Sequence, residues 1–457
     1  MTRTTTTSGG PSALIAVALG MAIFAIYNAN GREIDVGDSV PSRLAAREFV
    51  LRNTFALDYA VKERPEYEGW SAFVKGRDGH YRSAYSFAPA VEAAMIGALL
   101  NGTGAIDMGA PRAASLVAKL AASLLTALAC AFAFLTARRR TTTWQAILIA
   151  VGLGLGTGLW PTVSQTLWQH ETAIFGLMAA VWLLERQPDQ PPPLWALGLA
   201  LGLAGMARAQ ITPAIAVLAV AAVWRTRSWR SVVGLWPLAA CALGTAALGV
   251  LWFGHPLGPR LAMLSDMPQT HMVPGTISRE PWVGALGLLV SPNRGILIFS
   301  PVVLVAFAGV FRIGRAGTGR SALRWYGAAA LAQYLTYSAF SVWWAGYTYG
   351  PRYMLDLLPM LVPLAAVGLS WLAARRAWRW VLTALLAWSI AVSAIGAFCY
   401  SAGVWNPGIE DPDDVDLKHE RLWDWHDLEI VTAVKSGWHG DNFQLFDRTA
   451  LRRPAAK

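Results

Sequence analysis

Apolar runs of membrane-spanning length recur along nearly the whole 457-residue chain, and they constrain its fold more than any other feature. A helix that crosses the hydrocarbon of a bilayer needs roughly 20 apolar residues, because its backbone must satisfy its own hydrogen bonds where no water is present. Runs that meet or approach this length lie at 11–29, 113–136, 143–160, 171–184, 194–208, 211–224, 232–252, 293–311, 321–340, 354–373 and 378–399. One more, 81–100, carries Pro89 and Glu92 and reads either as a span or as a helix on the membrane surface. With 55% hydrophobic and 14% charged residues the chain lies outside the range of soluble domains, so the runs predict an all-α integral membrane protein. Its 22 Trp and 12 Tyr suit interfacial belts, where an apolar ring keeps one polar end in water. The net charge of +10 points to anionic lipid headgroups, and no nucleic-acid-binding motif accompanies it. Cys130, Cys241 and Cys399 lie in or beside apolar runs without disulfide or metal spacing and read as small packing residues. No small-residue cleavage site precedes Asn28, so the first run is expected to stay as an uncleaved span.

Orientation follows from Lys and Arg, which collect in short cytoplasmic loops. The basic clusters are Arg138 with Arg139 and Arg140, residues 225–230, residues 312–324, and Arg375 with Arg376 and Arg379. If 81–100 does not cross, all four share a side with Arg3; if it crosses, all four lie outside. The first arrangement is the expectation: eleven spans, N-terminus cytoplasmic, C-terminus outside, and 81–100 a surface or re-entrant helix. Of the 28 acidic residues only Glu185 and Asp189 are then cytoplasmic, so the polar chemistry faces outward. That outer face comprises a first loop, 30–110, a second, 253–292, and a tail, 401–457, which follows a transmembrane domain of residues 1–400. The tail is acidic over 410–416, then mixes Trp423, Trp425 and Trp438 with charges, and reads as a small cap or a partly disordered segment. The cytoplasmic connectors are short and no Gly-rich phosphate loop follows a strand, so the donor of any transfer reaction would come from the membrane. No internal repeat is evident, which counts against a transporter.

The residues that could carry chemistry sit at the outer ends of spans. Asp35 and Asp38 follow the first span, and Asp38 reads either as a helix N-cap ahead of Pro41 or as a proton acceptor. Glu48 and Arg52 behind it form a solvated i,i+4 pair. Arg352 ends an aromatic run containing Trp344 and Tyr349, a platform that suits a sugar ring beside a phosphate. The same run reads equally as an interfacial belt with a snorkelling Arg and an Arg352–Asp356 helix pair. Arg294 stands where a span begins outside, either lining the same cavity or simply starting a helix. Lys119, two turns into a span, is costly in lipid and reads as functional or as snorkelling outward. Arg82, Arg112 and Arg208 are further candidate cations. His170 and Glu171, at the start of another span beside aromatic residues, read as acceptor or phosphate contacts or as structural groups.

The stretch Asp38-Ser39-Val40-Pro41-Ser42-Arg43-Leu44-Ala45-Ala46-Arg47-Glu48-Phe49, placed after a single N-terminal span, resembles the first-loop signature of GT-C-fold transferases. The resemblance is to the aminoarabinose transferase and protein O-mannosyltransferase group. Residues 79–89 are similar to that group's Tyr- and Pro-rich surface helix, and residues 110–140 to its second span, which begins with an Arg and ends in a basic turn. The resemblance covers about the first 140 residues and is architectural beyond them. The chain departs from the pattern where those transferases often carry Lys-Pro-Pro; here the stretch reads Ala84-Tyr85-Ser86-Phe87-Ala88-Pro89, so another cation must bind the donor phosphate. The resemblance implies a GT-C-like bundle of about 11 transmembrane helices with surface helices in the first outer loop. It implies a hexosyl- or pentosyltransferase that moves a sugar from a polyprenyl-phosphate donor to a hydroxyl of a glycan, lipid or protein acceptor. Transfer would proceed with inversion on the extracytoplasmic face of the plasma (inner) membrane. Asp38 would be the general base and Asp35 its support. Donor phosphate and substrate contacts would come from Arg352, Arg294, Lys119, Arg112, Arg82, His170, Glu171, Tyr349, Tyr85 and Trp344. Neither a metal nor another cofactor is expected. The alternative is a non-catalytic lipid or glycan transporter or flippase.

Overall fold

In the computed structural model the described residues are 9–186, 192–259, 277–314, 321–408 and 411–452. Each of the eleven apolar runs contains helix, and the chain is a predominantly helical, multi-pass membrane protein. Among the described residues Gly10–Asn28, Ala113–Arg138, Ala209–Thr226, Trp229–Phe253, Arg352–Leu372 and Arg376–Phe398 are long and apolar enough to cross a membrane. Thr143–Leu155, Leu194–Ala207, Pro281–Val290 and Pro301–Ile313 are apolar but shorter. Two runs are therefore broken where uninterrupted spans are expected. The helix Thr143–Leu155 stops at Gly156 and gives way to a single π-helical turn, Leu159–Val163. The run 293–311 is interrupted at Ser300, because Pro301 has no N–H to continue the ladder. The expected outer piece 253–292 contains an apolar helix, Pro281–Val290, which its composition as a loop does not anticipate. The rest of that piece, the connector containing Asp189 and Glu410 in the tail fall at least partly outside the described residues.

Small residues set the helix spacing. The helices Leu304–Gly314 and Leu358–Leu372 meet at Gly309 and Gly368, where an added Cβ would stand 2.0 Å from the Leu364 carbonyl oxygen and 1.9 Å from that of Val305. In lipid there is little hydrophobic drive between helices, so close backbone approach of this kind supplies the packing attraction. The 26-residue helix Ala113–Arg138 is about 39 Å long at 1.5 Å per residue, and buries a face rich in Ala before ending in its basic turn.

The two ends of the bundle differ in chemistry. At one end Arg140 grips Glu185 with two bonds of 2.6 and 2.8 Å, Arg139 donates to the Trp182 carbonyl at 2.7 Å, and Arg225 donates to the carbonyl of Leu184. At the other end lie the first loop and the tail. The first loop contains the helix Val40–Arg52, a two-stranded hairpin pairing Phe73–Lys75 with Tyr81–Ser83, and the helix Ala88–Gly102. At 15 residues this last helix is below spanning length; it buries Ala90, Ala93, Ala94 and Gly97 and exposes Met95 and Leu99, one turn apart on its outer face. Glu48 is not solvated as its pairing with Arg52 suggests: its side chain is buried, 2.7 Å from Arg52.

The described part of the tail is an ordered cap with Val415 and Leu422 fully buried. Ser291 donates to the Leu422 carbonyl at 2.5 Å, and Asn293 donates to those of Arg421 and Asp427 at 2.8 and 2.9 Å. Further along, the N–H groups of Phe443 and Leu445 bond the carbonyls of Asn30 and Gly31 at 2.8 and 2.7 Å. The cap thus ties the first loop to the later spans.

Candidate functional site

Asp38 lies between the end of the first span and the helix Val40–Arg52, and it does not cap that helix. The N-cap is Ser39, which makes no side-chain cap bond and donates instead to the Val36 carbonyl at 3.0 Å. Both oxygens of Asp38 are held from elsewhere: Oδ1 accepts the Tyr85 hydroxyl at 2.6 Å and Oδ2 accepts an Arg352 Nη1–H at 3.2 Å. Burial, reinforced by the adjacent Asp38 carboxylate, pushes the Tyr85 hydroxyl well above its ordinary range, so Tyr85 stays protonated and donates. The Asp38 side chain remains 39% exposed, whereas Arg352 is only 11% exposed.

Arg352 is positioned by its surroundings rather than by its own helix. Its Nη2 donates to the Ala345 carbonyl at 2.9 Å, and the guanidinium carbon lies 4.7 Å from the Trp168 ring centroid and 5.9 Å from that of Tyr353. Its Nε is buried and has no hydrogen-bond partner among the described residues. Ala345 at φ 63° and Gln169 at φ 73° adopt the left-handed conformation that side chains disfavour, and these two flank the Arg352–Trp168 stack. Such strain costs on the order of 1–3 kcal/mol and persists where surrounding structure enforces it. Gly350, at φ 71°, must be glycine: a Cβ there would lie 2.7 Å from the Phe299 ring, and its N–H bonds Glu429 at 3.0 Å.

Asp35 is held by a different arginine from the one on Asp38. Its carboxylate accepts from Arg43 Nη1 at 2.7 Å, and the same nitrogen binds Glu33 and lies 3.2 Å from Ser115 Oγ. Glu33, which the residue pattern does not single out, is buried and also accepts the Thr166 hydroxyl at 2.5 Å. Burial pushes its carboxyl above the usual range against the pull of Arg43.

Other expected site residues are placed elsewhere. Arg294 is fully buried: it pairs with Glu429 at 2.8 Å and donates to the carbonyls of Trp344, Asn293 and Gly346, so it anchors the cap rather than lining a cavity. Lys119 is buried on Gln165 Oε1 at 2.6 Å and does not snorkel outward. Arg112 donates to the Gln444 carbonyl at 3.2 Å, beneath the tail. Arg82 forms two 2.6 Å bonds to Asp78 and lies 4.9 Å from the Trp252 ring. Tyr349 is buried with its hydroxyl on the Val392 carbonyl at 3.1 Å, and Trp344 donates to Asp416 at 2.6 Å. Glu171 is buried, and its Oε1 accepts the Gln169 N–H at 3.2 Å.

His170 belongs to a separate buried cluster. Its Nδ1 is 2.7 Å from Asp356, which Arg208 approaches at 3.1 Å and to which the Tyr337 hydroxyl donates. The anticipated Arg352–Asp356 pair therefore does not form; Arg352 turns to Asp38 and Arg208 takes its place on Asp356. The trio Asp38, Tyr85 and Arg352 is what the fold brings together, with Trp168 as the aromatic face that the residue pattern did not single out as a site. Among the described residues no group of three or more His, Cys, Asp or Glu side chains is disposed to hold a metal ion.

No protein-family profile and no curated protein matches the chain. Solved structures similar to it include the following two. One is ArnT from Cupriavidus metallidurans bound to undecaprenyl phosphate, 16% identical over 85% of this chain and 76% of that chain, with a TM-score of 0.46. The other is the Archaeoglobus fulgidus oligosaccharyltransferase tethered with an acceptor peptide through a disulfide bond, 11% identical over 91% of this chain and 59% of that chain, with a TM-score of 0.48. At these identities and scores the likeness describes the arrangement of helices alone.

Proposed function

We propose that the chain transfers a sugar from a polyprenyl-phosphate donor to an acceptor hydroxyl, with inversion, using Asp38 as general base on the extracytoplasmic face of the plasma (inner) membrane. The observation that carries this reading is the contact between Asp38 and Arg352, residues 314 positions apart, at the end of the bundle away from the basic loops. At 3.2 Å it is longer than the roughly 2.7–2.9 Å usual for a charge-assisted pair. A donor phosphate, with more charge and more acceptor oxygens, draws Arg352 to itself and releases Asp38 Oδ2. Tyr85 keeps Oδ1 and so fixes the carboxylate's orientation. The acceptor oxygen then attacks the anomeric carbon while Oδ2 takes its proton, which is general-base work. The bond from that carbon to the phosphate oxygen breaks, and polyprenyl phosphate leaves with its charge beside Arg352. Trp168 under the guanidinium keeps Arg352 dry and aimed. In this reading Arg352 supplies the cation that the first loop lacks, and the reaction calls for no metal.

The test is turnover of the purified protein with a panel of undecaprenyl-phosphate hexoses and pentoses, read as release of undecaprenyl phosphate. Asp38→Asn is expected to lower turnover by about 10²–10⁴ while donor binding is kept. Unimpaired turnover in that variant, or no transfer from any donor by the native protein, removes the assignment and returns the transport reading.

A further inference from the structure

We propose that the arginine-lined cleft at the opposite end of the bundle from Asp38 binds the headgroup of an anionic phospholipid. The cleft has a volume of about 540 Å³ and is lined by Arg138, Arg139 and Arg140, by Thr142 and Thr143, and by Ser370, with no carboxylate in its wall. It lies where Ala113–Arg138 ends, where Thr143–Leu155 begins and beside the last turn of Leu358–Leu372. Three apolar helices thus meet at its rim, which places it at the depth of lipid headgroups.

Its charges are only partly used by the protein. Arg140 is committed to Glu185. Arg138 donates once, to the Thr141 carbonyl at 3.0 Å, and its Nε is buried with no hydrogen-bond partner among the described residues. Arg139 donates to the Trp182 carbonyl and lies 5.3 Å from that ring, which engages one of the five N–H donors a guanidinium carries. Trp144 beside the cleft is 67% exposed, as an interfacial ring is. A phosphodiester fits this set, its oxygens taking the Arg138 and Arg139 donors. A zwitterionic headgroup brings a cation against three arginines and is disfavoured. A Lys or Arg at an anionic membrane surface contributes about 1 kcal/mol, or about fivefold in affinity. The site stands independently of the proposed reaction.

Native mass spectrometry of the full chain in mild detergent, titrated with phosphatidylglycerol and with phosphatidylcholine, tests it. The native protein is expected to retain phosphatidylglycerol in preference, and Arg138→Gln with Arg139→Gln to weaken retention by about 25-fold, fivefold for each arginine. Lysine at both positions should preserve it, and Arg230→Gln, outside the cleft, should change nothing. If the double variant fails to fold, Arg139→Gln at the exposed position carries the test with a fivefold loss. Equal retention of phosphatidylcholine, unchanged binding by the glutamine variants, or displacement of the lipid by millimolar inorganic phosphate would each overturn the lipid assignment.

Discussion

At the scale of residues the candidate site depends on how each polar group is compensated. Asp38 is a carboxylate with two partners and an exposed edge, whereas Arg294 spends its donors on Glu429 and three carbonyls and Lys119 is buried against Gln165. Availability rather than charge separates them. Glu92, on the helix Ala88–Gly102, shows the same rule in a titrating group: burial pushes its carboxyl up to about 7, while the Thr172 hydroxyl, 2.7 Å away, pulls it back toward the usual range. Because the folded value is raised, the folded chain holds the proton more tightly than the unfolded chain. Its contribution to stability is fully present below about pH 4.5 and is lost as pH rises through about 7. Glu92→Gln is therefore expected to flatten the pH dependence of thermal unfolding over this window and to stabilise the protein by about 3 kcal/mol at pH 8. Detergent melts across pH 4–8 check this, and an unchanged slope in the variant would assign the window to other groups.

The tail and the Arg352 loop act together at the scale of elements. Glu429, in the helix Glu429–Ser436, accepts from both Arg294 and the Gly350 N–H, so one buried carboxylate holds the cap against the segment that carries Arg352. Trp344 on Asp416 and Tyr347 on Asp414, at 2.6 and 2.5 Å, repeat the connection. Removing one partner of a buried pair leaves the other charge uncompensated and costs about 3–5 kcal/mol. Glu429→Ala is expected to lower the melting temperature in detergent and to open the cap to protease before the bundle unfolds. If cleavage instead tracks global unfolding, the cap is not a separate unit.

Across the whole molecule, charge is sorted by end. The arginine turns meet at one end, and the first loop and the cap meet at the other, as the contacts of Arg140 with Glu185 and of Leu445 with Gly31 show. If the basic end is cytoplasmic, Asp413→Cys should react with a membrane-impermeant maleimide in intact spheroplasts, and Thr142→Cys only after lysis. The reverse pattern would invert the protein and move Asp38 to the inner face.

Much of the fold was legible in the chain itself. The positions of the eleven apolar helices, and the common side of Arg138–Arg140 and the 225–230 cluster, follow from run length and from the Arg distribution, both local properties. The breaks at Gly156 and Pro301 were written in single residues, but the short helix Pro281–Val290 was not separable from a loop because ten residues match neither a span nor a polar connector. The candidate site was half legible: Asp38, Tyr85 and Arg352 were each recognisable as chemistry-bearing residues, but so were Arg294, His170 and Lys119. What the sequence determined by itself is a membrane bundle with its acidic groups gathered at one end. Only the tertiary structure decided which cation meets which carboxylate: Arg352 on Asp38, Arg294 on Glu429, Arg208 on Asp356. The physical reason is that a buried or half-buried charge is set by the partner that compensates it, and those partners lie more than a hundred positions away along the chain.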